Sequence, residues 1–231
     1  MATKTVLITG SNRGIGLAFA KYYKKEGWNV IGCARDVTNA AELKQLELWM
    51  LITLDTSSED SINAASKALE NVPIHLLINN AGIMTEHNLQ STTKADLLRQ
   101  YEVNAVGPFL MTRAMLPNLQ LAVKDQGLAK VAQVTSRMGS IMDNNSGGYY
   151  GYRASKTALN MITKSLAVDL GKEKICCLLL HPGYVNTEMV QFSGSVSPAD
   201  SVKGMAKIIA GAKLEDSAKM FHFEKGDVLP W

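Results

Sequence analysis

Six short runs of apolar or β-branched residues punctuate the chain: Val6-Leu7-Ile8, Val30-Ile31-Gly32-Cys33, Leu51-Ile52-Thr53-Leu54, His75-Leu76-Leu77-Ile78, Val131-Ala132-Gln133-Val134 and Ile175-Cys176-Cys177-Leu178-Leu179-Leu180. None alternates apolar with polar residues, so each reads as a strand covered on both faces. Between them lie longer segments of helical character, at 13–26, 39–47, 58–70, 92–122 and 149–170, with another at 198–212. Alternating strand and helix demands crossover connections and therefore a parallel, doubly wound sheet with helices on both faces. Gly27 follows the first helix, and Thr56, Ser57 and Ser58 precede the third as capping candidates. No Pro/Gly/Ser linker divides the chain, so residues 1–231 are expected to form one domain.

Composition serves here to exclude. With 46% apolar and 19% charged residues the chain reads as an ordinary globular protein. Its net charge of +3 is small and its Lys and Arg are scattered, which makes no case for nucleic acid or a membrane surface. A small-molecule partner is the expectation. The chain enters its first strand pattern at Thr5, leaving no room for a secretory signal, and its longest apolar run, Ile175 to Leu180, is far short of the ~20 residues that span a bilayer. Cys33, Cys176 and Cys177 cannot all pair, which suits a reducing compartment, so the expected location is the cytoplasm. No Cys/His spacing suggests a metal.

Two local patterns carry chemistry. After the first strand, Gly10-Ser11-Asn12-Arg13-Gly14-Ile15-Gly16 runs straight into a helix. Glycines there let backbone approach a pyrophosphate held at the positive helix end. Further on, Tyr152 and Lys156 stand four residues apart, one turn from each other on one helix face. A phenol titrates near ~10, and a neighbouring ammonium favours its ionised form.

The TGxxxGxG spacing from Thr9 to Gly16 resembles the short-chain dehydrogenase/reductase family. The resemblance continues through Asn79-Asn80-Ala81-Gly82, Asn104, Ser136, the Tyr152 to Lys156 motif, and His181-Pro182-Gly183 with Val185 and Thr187, and so covers essentially the whole chain. It implies a Rossmann-type three-layer α/β/α fold. It also implies a catalytic set of Ser136, Tyr152, Lys156 and Asn104: Ser136 bonds the substrate carbonyl, Tyr152 is the acid/base, Lys156 holds the nicotinamide ribose, and Asn104 holds a relay water. Thr135 and Ser140 are nearby substitutes for Ser136. Ser136-Arg137-Met138-Gly139-Ser140, Asn144 to Tyr149 and the Leu229-Pro230-Trp231 ending are similar to the carbonyl-reductase branch that includes sniffer and C-factor proteins.

Cofactor choice turns on the end of the second strand, where an NAD enzyme places a carboxylate on the adenine ribose and a 2′-phosphate requires a cation instead. That position is Ala34, followed by Arg35, with Arg13 in the glycine loop. These favour NADP(H). Asp36 as a shifted ribose carboxylate, with both arginines merely solvated, is the competing reading. The resemblance sets Asp55 beside the adenine, though a strand-end Asp also caps helices, and gives Asn80 a part in cofactor binding or in tying strands together.

Met138, Met142, Tyr149, Tyr150, Tyr184 and Met189 offer an adaptable apolar pocket or ordinary core, and His181 reads as structural. The stretch 190–199, with Phe192, reads as a mobile flap over the substrate. The function implied is NADPH-dependent reduction of an aldehyde, ketone or quinone, by an enzyme that forms a homodimer through the helices carrying Asn104 and Tyr152. Two other readings are a C-factor-like signalling protein with little turnover and a sugar-nucleotide epimerase. The intact catalytic set argues against the first and the length of the chain against the second.

Overall fold

A computed structural model describes residues 3–86 and 88–231. All six apolar runs form strands: β1 (Thr5–Ile8), β2 (Asn29–Ala34), β3 (Met50–Thr53), β4 (Leu76–Asn79), β5 (Ala129–Val134) and β6 (Ile175–His181). Between them run α1 (Gly14–Lys25), α2 (Ala41–Gln45), α3 (Glu59–Ala68), α4 (Lys94–Tyr101), α5 (Gly107–Ala114), α6 (Leu116–Gln126) and α7 (Tyr150–Leu170). After β6 come α8 (Pro198–Gly211) and a seventh strand, β7 (Met220–His222). The strand order is β3-β2-β1-β4-β5-β6-β7, with every pairing parallel.

Each strand divides its residues between two cores. Val6, Ile8, Ile78, Val134 and Leu180 pack on one face against Leu17 and Phe19 of α1 and Val202, Met205 and Ile209 of α8. Leu7, Ile31, Leu77, Val131 and Cys177 pack on the other, against Ile62 of α3, Met111 of α5, Leu119 of α6 and Leu166 of α7. That two-sided burial is why the runs carry no polar alternation. The three cysteines are buried free thiols, and burial pushes Cys33 up to about 12. Among the described residues no helix is long and apolar enough to cross a membrane.

Two expectations change. The segment 92–122 is helical but not one helix: Lys94 to Ala114 runs on through a π-helical bulge at Glu102 to Val106, covering α4 and α5, and α6 starts afresh after Met115. Pro117 falls in the first turn of α6, where its missing N–H costs nothing, and marks that restart. The strand β7 has no β-branched residue and only three positions, and it exists because Leu179, Leu180 and His181 offer it a paired edge. Ser58 caps α3 through its side chain, accepting from Ser61 N at 3.2 Å, as the capping pattern predicts.

Candidate active site

The sheet order reverses between β1 and β4, and open α/β sheets form their binding crevice beyond the carboxyl ends of strands at such a point. There Gly10 and Gly14 take φ of 63° and 54°, and a Cβ on Gly16 would lie 2.1 Å from Gly10 O and 2.6 Å from Asn80 Nδ2. The loop is stitched to its neighbours. Asn80 Nδ2 donates to Thr9 O and Gly10 O at 2.9 and 3.1 Å, and the N–H groups of Asn80 and Ala81 both donate to Thr9 Oγ1 at 3.0 Å. Ser11 is buried and tied to Cys33 O through both its N–H and its hydroxyl. Asn12 and Arg13 are exposed, with Gly14 and Ile15 half-buried. No side chain caps α1 and its first turn holds no acidic residue, so its positive end stays open to an anion. A cradle that a Cβ would fill, facing an uncapped helix, fits a dinucleotide pyrophosphate.

The rim beyond β2 separates the two cofactor readings. Ala34 ends the strand buried, and Arg35 and Asp36 are exposed. Asp36 accepts from Thr38 N, Thr38 Oγ1, Asn39 N and Asn39 Nδ2 at 2.6–3.1 Å, bonds that hold its carboxyl down at about 2. Its carboxylate is tied into the local turn through both oxygens. Part burial pushes the Asp55 carboxyl up, but bonds from Ser57 N and Oγ at 2.9 and 2.7 Å, with Arg35 and Arg99 nearby, bring it below its ordinary value. Arg13 is ion-paired with Glu188.

Tyr152 and Lys156 lie in α7 and both are buried. Lys156 Nζ donates to Val134 O at 2.9 Å and sits 5.7 Å from the centre of the Tyr152 ring. Burial lowers Lys156 to about 8. It also raises Tyr152 to about 12, with a bond from the Ser136 hydroxyl pulling the other way. Burial therefore favours the protonated form of Tyr152 over the ionised form that a neighbouring ammonium favours. A neutral phenol can give a proton to an oxygen that gains negative charge.

Of the three hydroxyls in the turn after β5, only Ser136 meets Tyr152. Its Oγ accepts from Met138 N at 3.1 Å, which leaves its own proton free to donate. Thr135 Oγ1 is turned inward onto Asn160 Oδ1 at 2.7 Å, and Ser140 Oγ accepts from Asp143 N at 3.2 Å. Asn104 lies in the π-helical stretch, fully buried, with both ends of its amide engaged: Oδ1 accepts from Ile83 N at 2.8 Å, and Nδ2 donates to Ile83 O at 2.8 Å and Ser155 Oγ at 3.0 Å. A Cβ on Gly82 would come within 3.1 Å of Asn104 Oδ1 and 3.7 Å of Lys156 Nζ, which joins the β4 loop to this centre.

The segment after β6 closes the other side. Pro182 O is held by Ser201 Oγ at 2.7 Å, Gly183 has φ of 82°, and Val185 is buried and bridged to Val196. A Cβ on Gly14 would lie 3.2 Å from Thr187 Cγ2, so this segment touches the glycine loop. The flap is pinned at its base by Asn186 N to Val196 O and Val196 N to Tyr184 O, with Phe192 exposed at its tip. Met142, Tyr150, Tyr184 and Met189 are likewise exposed around the cleft. Burial lowers His181 to about 4, and it accepts from Arg137 N at 3.3 Å. Sequence reasoning missed Asn160, although a buried stripe of Tyr152, Lys156, Asn160 and Thr163 along one helix was a signal.

Comparison with known proteins agrees with this architecture. A family model described as short chain dehydrogenase matches residues 4–196. The C-signal protein of Myxococcus xanthus is 42% identical over 160 residues, 69% of this chain and 93% of that one. Among solved structures, an NADPH-bound carbonyl reductase from chicken fatty liver superposes with a TM-score of 0.91 at 31% identity, and the carbonyl reductase Sniffer of D. melanogaster with 0.93 at 29%. Both cover 100% of each chain. With the glycine cradle at the sheet's switch point, the buried Tyr152 and Lys156 pair, and a family match across most of its length, the chain belongs to the short-chain dehydrogenases, in their carbonyl-reductase-like branch.

Proposed function

We propose that this protein is a cytoplasmic, single-domain NADPH-dependent reductase of a small aldehyde, ketone or quinone. The observation that carries the reading is the buried Tyr152 hydroxyl with the Ser136 hydroxyl against it, at the mouth of an anion-ready glycine cradle. Gly10 to Gly16, Asn80, Ala81 and Gly82 would hold the dinucleotide backbone, Arg13 and Arg35 its 2′-phosphate, Asp55 the adenine end, and Pro182, Gly183, Val185 and Thr187 the nicotinamide end. When bound, the dihydronicotinamide supplies the hydride. Ser136 and Tyr152 both donate to the carbonyl oxygen, and their bonds strengthen as negative charge develops there. Tyr152 then passes its proton to that oxygen, completing the alcohol. Lys156, one N–H committed to Val134 O, keeps two for ribose hydroxyls, and as an ammonium it stabilises the tyrosinate left behind.

The engagement of Asp36 in its own turn supports NADPH over NADH, because no free carboxylate remains where the adenine ribose hydroxyls need one. Leu97, Leu98 and Tyr101 on α4 and Met161 and Val168 on α7 are exposed, which supports a homodimer joined through these helices, checked by light scattering. The deciding experiment follows NADPH oxidation against a panel of aldehydes, ketones and quinones. Turnover of at least one class is expected, and NADPH binding with no turnover of any would overturn the reading.

A further inference from the structure

The catalytic groups reach the cleft on two separate pieces of chain. Tyr152 and Lys156 come from α7, and Ser136 comes from the turn after β5. Their relative placement rests on whatever joins that turn to that helix. We propose that Asn160 is a positioning residue that clamps the Ser136 turn onto α7, an inference that rests on the reductase reading above.

Asn160 sits one turn beyond Lys156 and is 2% exposed. Its amide grips the turn on both sides of Ser136: Oδ1 accepts from Thr135 Oγ1 at 2.7 Å, and Nδ2 donates to Gly139 O at 3.2 Å. The Gly139 carbonyl also accepts from Thr157 Oγ1 at 2.9 Å, and that carbonyl, which only accepts, fixes which way round the amide stands. The two surfaces touch. A Cβ on Gly139 would lie 2.8 Å from the Lys156 carbonyl carbon and 2.9 Å from Lys156 Cβ, so backbone of the turn rests directly against the residue that carries the ammonium.

Asparagine meets this double demand through one short side chain with a donor and an acceptor. Aspartate in its place would set a carboxylate oxygen against Gly139 O, and leucine would leave the buried Thr135 hydroxyl unpaired. The turn held this way is small and otherwise supported by its own bonds, Met138 N to Ser136 Oγ at 3.1 Å, Gly139 N to Ser136 O at 2.9 Å and Ser140 N to Arg137 O at 3.0 Å. A displacement of Ser136 by a fraction of an ångström disturbs its donation to the reacting oxygen without touching the cofactor cradle.

The test has two arms. In a double-mutant cycle, Asn160→Ala is expected to lower kcat roughly tenfold in the parent chain with NADPH affinity unchanged, yet less than about twofold when Ser136 is already alanine, because the clamp then has nothing to position. Losses that simply multiply would overturn the proposal. In the second arm, the amides of Met138, Gly139 and Ser140 should exchange about tenfold faster in Asn160→Ala, while those of Val131 to Val134 keep their protection. Unchanged protection of the turn would overturn it equally. Thr135→Val, nearly isosteric, serves the same readouts if the alanine variant fails to fold. Should the parent reduce no carbonyl, the reading under Proposed function fails, and the exchange arm alone decides the clamp.

Discussion

Tyr152 and Lys156 are 9% and 4% exposed, whereas across the cleft the Arg13 side chain is 64% exposed and Arg35 also stands in solvent. The two regions serve opposite needs. At the buried end, each group is held by bonds to other elements: Lys156 to β5, Asn104 to the β4 loop and to Ser155, Thr135 to α7. Chemistry there needs groups fixed before the substrate arrives, and a dry setting makes each bond count for more. At the exposed end the cations stand in water, and the ion pair that engages Arg13, with Glu188, is a surface pair of roughly 0–1 kcal/mol that an incoming phosphate can displace. On the proposed reading, reactivity is built by burial, and selectivity between cofactors by charges left in water.

Tyr152→Phe should break the buried end most severely. The ring still packs, but the proton donor is gone, so kcat is expected to fall by roughly three orders of magnitude while NADPH affinity measured by fluorescence titration changes less than about twofold. Near-normal kcat would mean that another group supplies the proton. Lys156→Ala should cut turnover about 100-fold and also weaken NADPH, since that ammonium faces both the phenol and the ribose site. The pair of mutants separates proton donation from cofactor holding.

At the exposed end, Arg35→Ala is expected to narrow the NADPH-over-NADH preference by about tenfold, because one charge-assisted phosphate contact contributes roughly 1.5–3 kcal/mol. Ala34→Asp should penalise NADPH further. Equal dissociation constants for the two cofactors in the parent chain would end this account of selectivity. A pH series sharpens the comparison from the buried side: Lys156 is lowered to about 8, so its charge is present below that pH and lost above it. Reduction should be flat towards neutrality and decline several-fold as pH rises through about 8, with Tyr152, raised to about 12, staying protonated throughout. A flat profile up to pH 9.5 would contradict this. Smallest of all, Glu188→Gln should tighten NADPH binding by no more than about threefold, since it frees Arg13 from a solvent-screened partner. A weakened affinity would show instead that Glu188 helps to orient Arg13.

Much of the site is legible because its signals are local. Gly10 to Gly16 lie between one strand and one helix, and the four-residue step from Tyr152 to Lys156 is a helical turn whatever surrounds it. The π-helical bulge at Glu102 to Val106 is less legible, because a polar residue in a helical segment does not announce that its amide is needed by Ile83, 21 residues earlier. Strand β7 is silent for the same reason: three residues acquire strand geometry from the edge they pair with.

By itself the sequence determined the layering and the parallel sheet, since these follow from two-sided apolar runs and crossover connections, while Tyr152 and Lys156 stood out through a family resemblance that their helical spacing alone does not carry. Only the tertiary structure decided which hydroxyl after β5 faces Tyr152, that Asp36 is tied into its own turn, that Asn160 joins the turn to α7, and that burial pushes the phenol up. Those outcomes depend on solvent exclusion and on the assignment of hydrogen-bond partners. Thr135 and Asn160 are 25 residues apart in the chain, and Arg13 and Glu188 are 175 apart, so no local pattern contains them.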